Sequence, residues 1–296
     1  MTTIELIKTL REQTGAGMSD CKKAIEACDG DLERASDWLR EKGISKAAKK
    51  ADRIAAEGLS GCLIEGNTAV VVEVNSETDF AAKNDMFKGL VQDILKALVV
   101  AKPATLEEAL NCKVASGYTV NEAIINATSV IGEKLSLRRF VVLTKTDADS
   151  FGSYVHFNNK DTALVVVENC KDAEVANDCA MQVVGLSATY ISKDHIPADI
   201  IARETAVQTE IAHNDPKLAG KPEAALANII QGKVNKVFSE VCLLNQALIK
   251  DPTLTVERYV ANHGGKVTQM VRFTVGEGMQ KREENFAEEV AKQMKQ

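Results

Sequence analysis

The chain has 296 residues, enough for about two compact domains that each bury a core. Its 36 basic and 42 acidic residues leave a net charge of -6, which argues against a protein that coats nucleic acid or an anionic membrane. No apolar run approaches the roughly 18 to 20 residues that span a bilayer, and the amino-terminal stretch carries acids where a signal or transit peptide avoids them, so the expectation is a cytoplasmic protein with no membrane and no direct nucleic-acid partner.

The first 43 residues read as three short helices. Thr2 and Glu5 have capping-box spacing, Ile4, Ile7 and Leu10 form one apolar face, and Thr14-Gly-Ala-Gly17 stops the helix. A second helix turns Cys21, Ala24, Ile25 and Cys28 inward and ends at Gly30. Asp31 caps a third, with Leu32, Ala35 and Leu39 inward and Gly43 closing it. This small module resembles the ubiquitin-associated fold. Ile44 to Arg53, basic and almost without apolar residues, reads as a helical connector.

An internal repeat follows. Gly61-Cys-Leu-Ile-Glu-Gly-Asn-Thr-Ala-Val-Val-Val-Glu-Val74 has the pattern of a hairpin with a Gly-Asn turn, and Gly152 to Glu168 repeats it with a longer turn. Each copy runs into a helical segment, Met86 to Val100 and Val175 to Leu186, so two related α+β halves are the simplest core. Residues 198–241 then read as a helical hairpin broken at Asn214-Asp-Pro216, with Pro222 at the first position of its second helix. Its long stripe through Leu226, Ile230, Val234 and Val241 suits a contact with a second copy of the chain. A strand at Gln269 to Val275, a turn at Gly276-Glu-Gly278 and a charged helix bearing Phe286, Val290 and Met294 complete the chain.

Sequence features that carry chemistry are scarce. Cys21, Cys28, Cys62, Cys112, Cys170, Cys179 and Cys242 are an odd number, widely spaced and without a C-x-x-C pair, and read as small buried hydrophobes. His156, His195, His213 and His263 give no ligand pair at helical spacing, so neither metal nor cofactor is assigned. No phosphate-cradling G-x-x-x-x-G-K-[ST] loop, G-x-S-x-G elbow or H-E-x-x-H pair occurs. Gly15-Ala-Gly17 lacks the third glycine of a dinucleotide loop, because Asp20 stands there.

Two stretches stand out, Leu10-Arg-Glu-Gln-Thr-Gly-Ala-Gly-Met18 with Lys22-Lys23, and Glu73-Val-Asn-Ser-Glu-Thr-Asp-Phe-Ala-Ala-Lys83. The second repeat copy continues as Asn169-Cys-Lys-Asp-Ala173 without Thr-Asp-Phe, so the scaffold does not require that tripeptide. Spacing alone favours Thr78 or Asp79 as a helix cap with Phe80 in the core beside Phe87, and Met18 equally fits a core position.

At these stretches the sequence resembles the elongation factor Ts family. The resemblance continues through Ile131-Gly-Glu133, Leu137-Arg-Arg139, Gly152-Ser-Tyr-Val-His156, Gly220-Lys-Pro222 and Val271-Arg-Phe273 to Gly278, with Ile25 and Ala81 replacing residues that are usually leucine and valine. It implies an α+β fold: a three-helix module with basic linker (1–52), a first core half with Thr-Asp-Phe (53–145), a second half with the helical hairpin (146–275, hairpin 198–241) and a carboxy-terminal docking helix (276–296). It also implies a partner, elongation factor Tu, and an exchange of its GDP without bond-making chemistry. The implied contact residues are Thr78, Asp79 and Phe80, with Arg11, Met18, Lys22 and Lys50 on the same domain of Tu and the segment around His156 on another. Rival readings are a ubiquitin-binding adaptor, an RNA-binding protein using Lys42 to Arg53, and an α+β enzyme; none accounts for both stretches.

Overall fold

Local capping chemistry starts the chain. In the computed structural model, which describes residues 2–218 and 220–280, Thr2 opens α1 (Thr3–Thr14) with the expected capping box. The Thr2 N–H donates to Glu5 Oε2 at 2.8 Å and Glu5 N–H donates back to Thr2 Oγ1. Gly15, at φ +67°, stops the helix in the left-handed region. Asp31 caps α3 (Leu32–Ala48) through Arg34 N–H, and α3 closes with α1 and α2 (Met18–Ala27) around Leu10, Cys21, Ala24, Ile25, Cys28 and Ala35. Ile4, expected on the same face, is instead exposed. The inward stripe of α1 runs through Leu6, Ile7 and Leu10, and at 3.6 residues per turn Ile4 lies roughly 100° from its centre.

Gly43 does not close the third helix as expected. Helix α3 runs on to Ala48 because Gly43 is a packing position: a Cβ there would sit 3.0 Å from Ser129 Oγ on α7 (Val120–Ile131). Glycine lowers helix propensity by about 1 kcal/mol, and here it brings two helices close together. Arg40 pairs with Glu122 across the same contact at 2.6 Å. Half of the expected connector is therefore helix, and only residues beyond Ala48 form turns.

Both repeat copies fold as hairpins followed by helices. In the first, β1 (Glu57–Glu65) and β2 (Thr68–Ser76) meet at Gly66-Asn67, with Gly66 at φ +56°, and lead through α4 (Asp79–Lys83) into α5 (Asp85–Ala101). After α6 (Leu106–Asn111) and α7, β3 (Ser136–Thr144) completes a sheet in the order β1-β2-β3. In the second, β4 (Ser150–Val155) and β5 (Asp161–Glu168) are antiparallel, with Ser150 opposite Val167 and Val155 opposite Thr162, and lead into α8 (Ala173–Gly185). β6 (Lys266–Thr274) completes the order β4-β5-β6. The structure adds α6, α7, β3 and α11 (Val256–Asn262) to the elements read from sequence. The chain divides into two compact units. One holds the residues up to Leu63, Val72–Val142 and the described residues from Phe273 onward; the other holds Ile64–Val71 and Leu143–Arg272.

Corresponding glycines let each helix lie on its hairpin. At Gly61 a Cβ would meet the flexible end of Leu95 at 3.2 Å. At Gly152 it would lie 1.9 Å from the Ala176 carbonyl, so α8 rests directly on β4 backbone. In the same unit Gln182, buried on α8, donates to Ala247 O at 2.9 Å and accepts from Ile249 N–H at 2.9 Å. That amide satisfies the Ala247 carbonyl and the Ile249 N–H and ties the segment to the helix.

The expected helical hairpin is α9 (Ala198–His213) and α10 (Glu223–Val241), with Pro222 at the cap position just before the first helical residue. Ile230, Val234 and Phe238 pack with Ala212, Ile196 and Cys242. Much of the stripe expected to meet a second copy is thus taken up by the hairpin's own core, and Val207 and Ile211 of α9 remain exposed. Among the described residues no helix is long and apolar enough to cross a membrane. Of the seven cysteines, all free, Cys62 and Cys112 are half-buried and the others buried. The charged helix expected with Phe286, Val290 and Met294 lies outside the described residues.

Gly152→Ala is expected to cost about 3 kcal/mol or more, because backbone must move, whereas Gly61→Ala should cost about 1 kcal/mol or less. Urea unfolding of the two variants checks the contrast; equal losses would show that the α8 backbone yields.

Candidate functional site

The segment carrying Thr78, Asp79 and Phe80 begins on a buried charge. Glu73 of β2 is fully buried, following the apolar run Ala69–Val72 of the strand. Its carboxylate accepts from Arg138 Nη1 at 2.8 Å, Gly276 N–H at 2.8 Å, Arg139 Nε and Asn75 Nδ2. Arg139 also stacks on Phe273 at 4.3 Å, and donates to Thr274 O. Gly276, at φ +74°, passes so close to Ala56 that a Cβ would fall 2.3 Å from its carbonyl oxygen. Strands β2 and β3 and the 273–277 segment are thereby joined at one point. Burial pushes the Glu73 carboxyl up, but the Gly276 N–H and the two arginines outweigh it and hold it below its ordinary 4.5.

Five residues further, the chain turns out of the sheet at Thr78. Its hydroxyl accepts from Ala81 N–H at 3.2 Å, which caps α4 as the spacing suggested. Thr78 is itself gripped by Glu133: its N–H donates to Oε2 at 2.9 Å and its hydroxyl donates to Oε1 at 2.7 Å. Ser76 Oγ donates to Thr78 O, and Asn84 ends α4 and caps α5 through Met86 N–H.

Helix α4 has five residues and buries only the small side chains of Ala81 and Ala82. Phe80 points away from them and is 80% exposed. The core placement that spacing favoured is therefore overturned, and Phe87 on α5 is the aromatic that enters the core. Asp79 pairs with Lys83 at 2.7 Å, and the Lys83 ammonium lies 5.7 Å from the Phe80 ring centre. An exposed aromatic bordered by a charge pair is a surface that a partner can cover.

The preceding residue joins the site to the connector. Glu77 accepts from Lys134 N–H at 2.6 Å and from Arg53 Nη1 at 3.2 Å, while Lys134 Nζ donates to the carbonyls of Ala51 and Arg53 at 2.6 and 2.9 Å. Lys50, half-buried one turn earlier, has its ammonium shifted down by burial and by Arg53. The stretch just after Lys50 and the Thr78 turn are thus held by the same short loop, Gly132–Lys134.

The module residues lie in the same unit. Met18 opens α2 and is 49% exposed, which removes its core reading. Arg11 is exposed in the last turn of α1, and Lys22, also exposed, faces Glu26 one turn along α2 at 3.8 Å. Met86 at the start of α5 reaches the Gly15 turn, where a Cβ would lie 3.3 Å from its Cε. His156 belongs to the other unit, in the turn after β4. Its N–H donates to Asp161 O, and its ring lies 4.3 Å from that of Phe157, which is 89% exposed.

Sequence reasoning missed Glu73 and Glu133 as supports of the Thr78 segment, and Met86 and Phe157 as neighbours of the other candidate residues. A signal existed for Glu73, a charge inside the run Ala69 to Val74 that can be buried only if paired.

Comparison with known families gives two matches. A model described as Elongation factor TS matches residues 77–277, beginning one residue before Thr78 and covering more than half of the chain, and a model described as UBA/TS-N domain matches residues 5–39.

The depressed Glu73 carboxyl makes acid stability a test of its network. Protonation is costlier in the folded state, so the network contributes fully above about pH 4.5 and is lost as pH falls through the depressed folded value. Glu73→Gln is expected to lose about 3 kcal/mol at pH 7, with the difference from the parent holding down to about pH 4.5 and shrinking only as pH falls further. Denaturant unfolding across acid pH reads it; a constant difference would show that the charge is not what stabilises.

Proposed function

The chain belongs to the elongation factor TS family, and from that premise we propose that it binds elongation factor Tu in its GDP-bound form and promotes release of GDP and its exchange for GTP, in the cytoplasm where translation runs. One observation carries the reading: Phe80 stands exposed on a helix too short to need it, clamped at its base and absent from the repeat copy that shares the scaffold. No bond is made or broken in such a role.

The physics of exchange needs a competitor for the nucleotide site. If the factor and GDP each bind Tu and each weaken the other, the coupling is reciprocal, and nucleotide rebinding displaces the factor in turn. A nucleotide of this kind is held by magnesium and a phosphate loop. An aromatic ring pressed between packed elements near that site shifts them between discrete arrangements. Phe80 supplies the ring, and Asp79 supplies an acceptor able to compete for polar groups around the metal. Arg11, Met18, Lys22 and Lys50 provide further contact area on one domain of Tu, and the turn holding His156, with Phe157, meets another.

No observation of comparable weight supports the rivals. Among the cations that an RNA reading would use, Lys42 lies over Trp38, Lys46 pairs with Asp20 at 2.8 Å and Arg53 pairs with Glu77. For association of two copies through 198–241, Ile201, Val207 and Ile211 are the large apolar residues left exposed on α9.

Phe80→Ala separates fold from function. An exposed aromatic contributes little to folding, so stability should change by less than about 1 kcal/mol, while GDP release from Tu at saturating factor should slow by about tenfold or more. Stopped-flow release of fluorescent GDP, paired with denaturant unfolding, measures both. A stable variant that exchanges at the parent rate would overturn the proposal.

A further inference from the structure

Ile131-Gly-Glu133 belongs to the resemblance but has no part in the contact set above. Gly132, at φ +86°, ends α7 in the left-handed region and turns the chain so that consecutive side chains reach different segments. Glu133 takes both donors of Thr78, and Lys134 takes the carbonyls of Ala51 and Arg53. The loop therefore grips the mount of Phe80 and the stretch just after Lys50.

We propose that Glu133 is a positioning residue for nucleotide exchange, which fixes the direction of Phe80 by holding Thr78. The inference rests on the exchange reading and deepens it. A five-residue helix is far below the length at which a helix holds its own shape in water, and the inner contacts of α4 are two alanines, too small to set its orientation. What remains to orient it is the bonding at its ends. At the carboxy-terminal end this is Asn84, bonded within the chain's next turn. At the amino-terminal end it is Thr78, whose hydroxyl both accepts from Ala81 and donates to Glu133. Hydrogen bonds to a carboxylate are the stronger kind, and this bidentate pair fixes the threonine rotamer that the cap requires. Phe80 follows two residues later, so freedom at Thr78 becomes misdirection of the ring. Glu133 touches neither Phe80 nor the partner in this scheme; it acts through Thr78 alone.

The test compares Glu133→Ala, Glu133→Gln and Phe80→Ala, singly and with Glu133→Ala combined with Phe80→Ala. Each is measured for unfolding, for GDP release from Tu at saturation and for the concentration giving half-maximal release. Glu133→Ala is expected to slow release at saturation by about tenfold, with the half-maximal concentration little changed, because the other contacts keep their places. Glu133→Gln retains one acceptor oxygen and should fall between. Adding Glu133→Ala to Phe80→Ala should slow release no further, since both act through one ring. Should Glu133→Ala unfold, the isosteric Glu133→Gln gives the same comparison. If Phe80→Ala slows exchange while folded Glu133 variants exchange at the parent rate, or if the two effects add in full, the positioning role is overturned and the exchange reading stands. If Phe80→Ala itself has no effect, the exchange reading falls and this inference with it.

Discussion

A carboxylate buried without compensation would destabilise any strand, and Glu73 is buried in the middle of one. Its charge is tolerated because two guanidinium groups and a backbone N–H converge on it from segments far away in sequence. That convergence also places things. Arg138 and Arg139 fix β3 against β2, and Gly276 brings the 273–277 segment to the same carboxylate, where Arg139 lies on Phe273. Beyond Glu73 the strand has three residues left before it leaves the sheet at Glu77 and Thr78. The anchor of the sheet and the mount of Phe80 are therefore neighbours on one strand.

What could be read from sequence was whatever is decided over a few residues. The capping box at Thr2 and Glu5, the stop at Gly15, the cap at Asp31 and the turn at Gly66-Asn67 all follow from local hydrogen bonding and backbone freedom, and the structure shows each. The two hairpins with their following helices were legible because the chain states the pattern twice. Where a residue's role depends on a distant partner, local rules misled. Gly43 has the signature of a helix stop, yet its missing side chain serves Ser129. Ile4 matches a helical face on paper but lies off the stripe that the other helices cover.

The candidate site shows the same division. Thr78 as a cap was legible, being a matter of three residues. The exposure of Phe80 was not, because it depends on α4 being short and on Phe87 taking the core position. Glu133 and Lys134 lie more than fifty residues from their partners, as the hydrogen bonds to Thr78 and Glu77 show. No spacing rule reaches that far. The proposed contact residues, from Arg11 to His156, came from resemblance, and the geometry supplies surroundings for them.

The duplicated hairpin and helix have a meaning for how such a protein changes over time. In one copy the strand passes to its helix through Asn169 to Asp172, a plain joint; in the other the same joint has taken in α4 and its exposed ring. The valines before the joint match in the two copies, but Glu73 is buried and bonded where Glu168 faces solvent. At that joint the chain thus carries a plainer relative of the half that bears Phe80. It marks the strand-to-helix joint as a place where new surface can be acquired while the frame beneath stays intact, and inheritance of the frame is separated there from innovation at the surface.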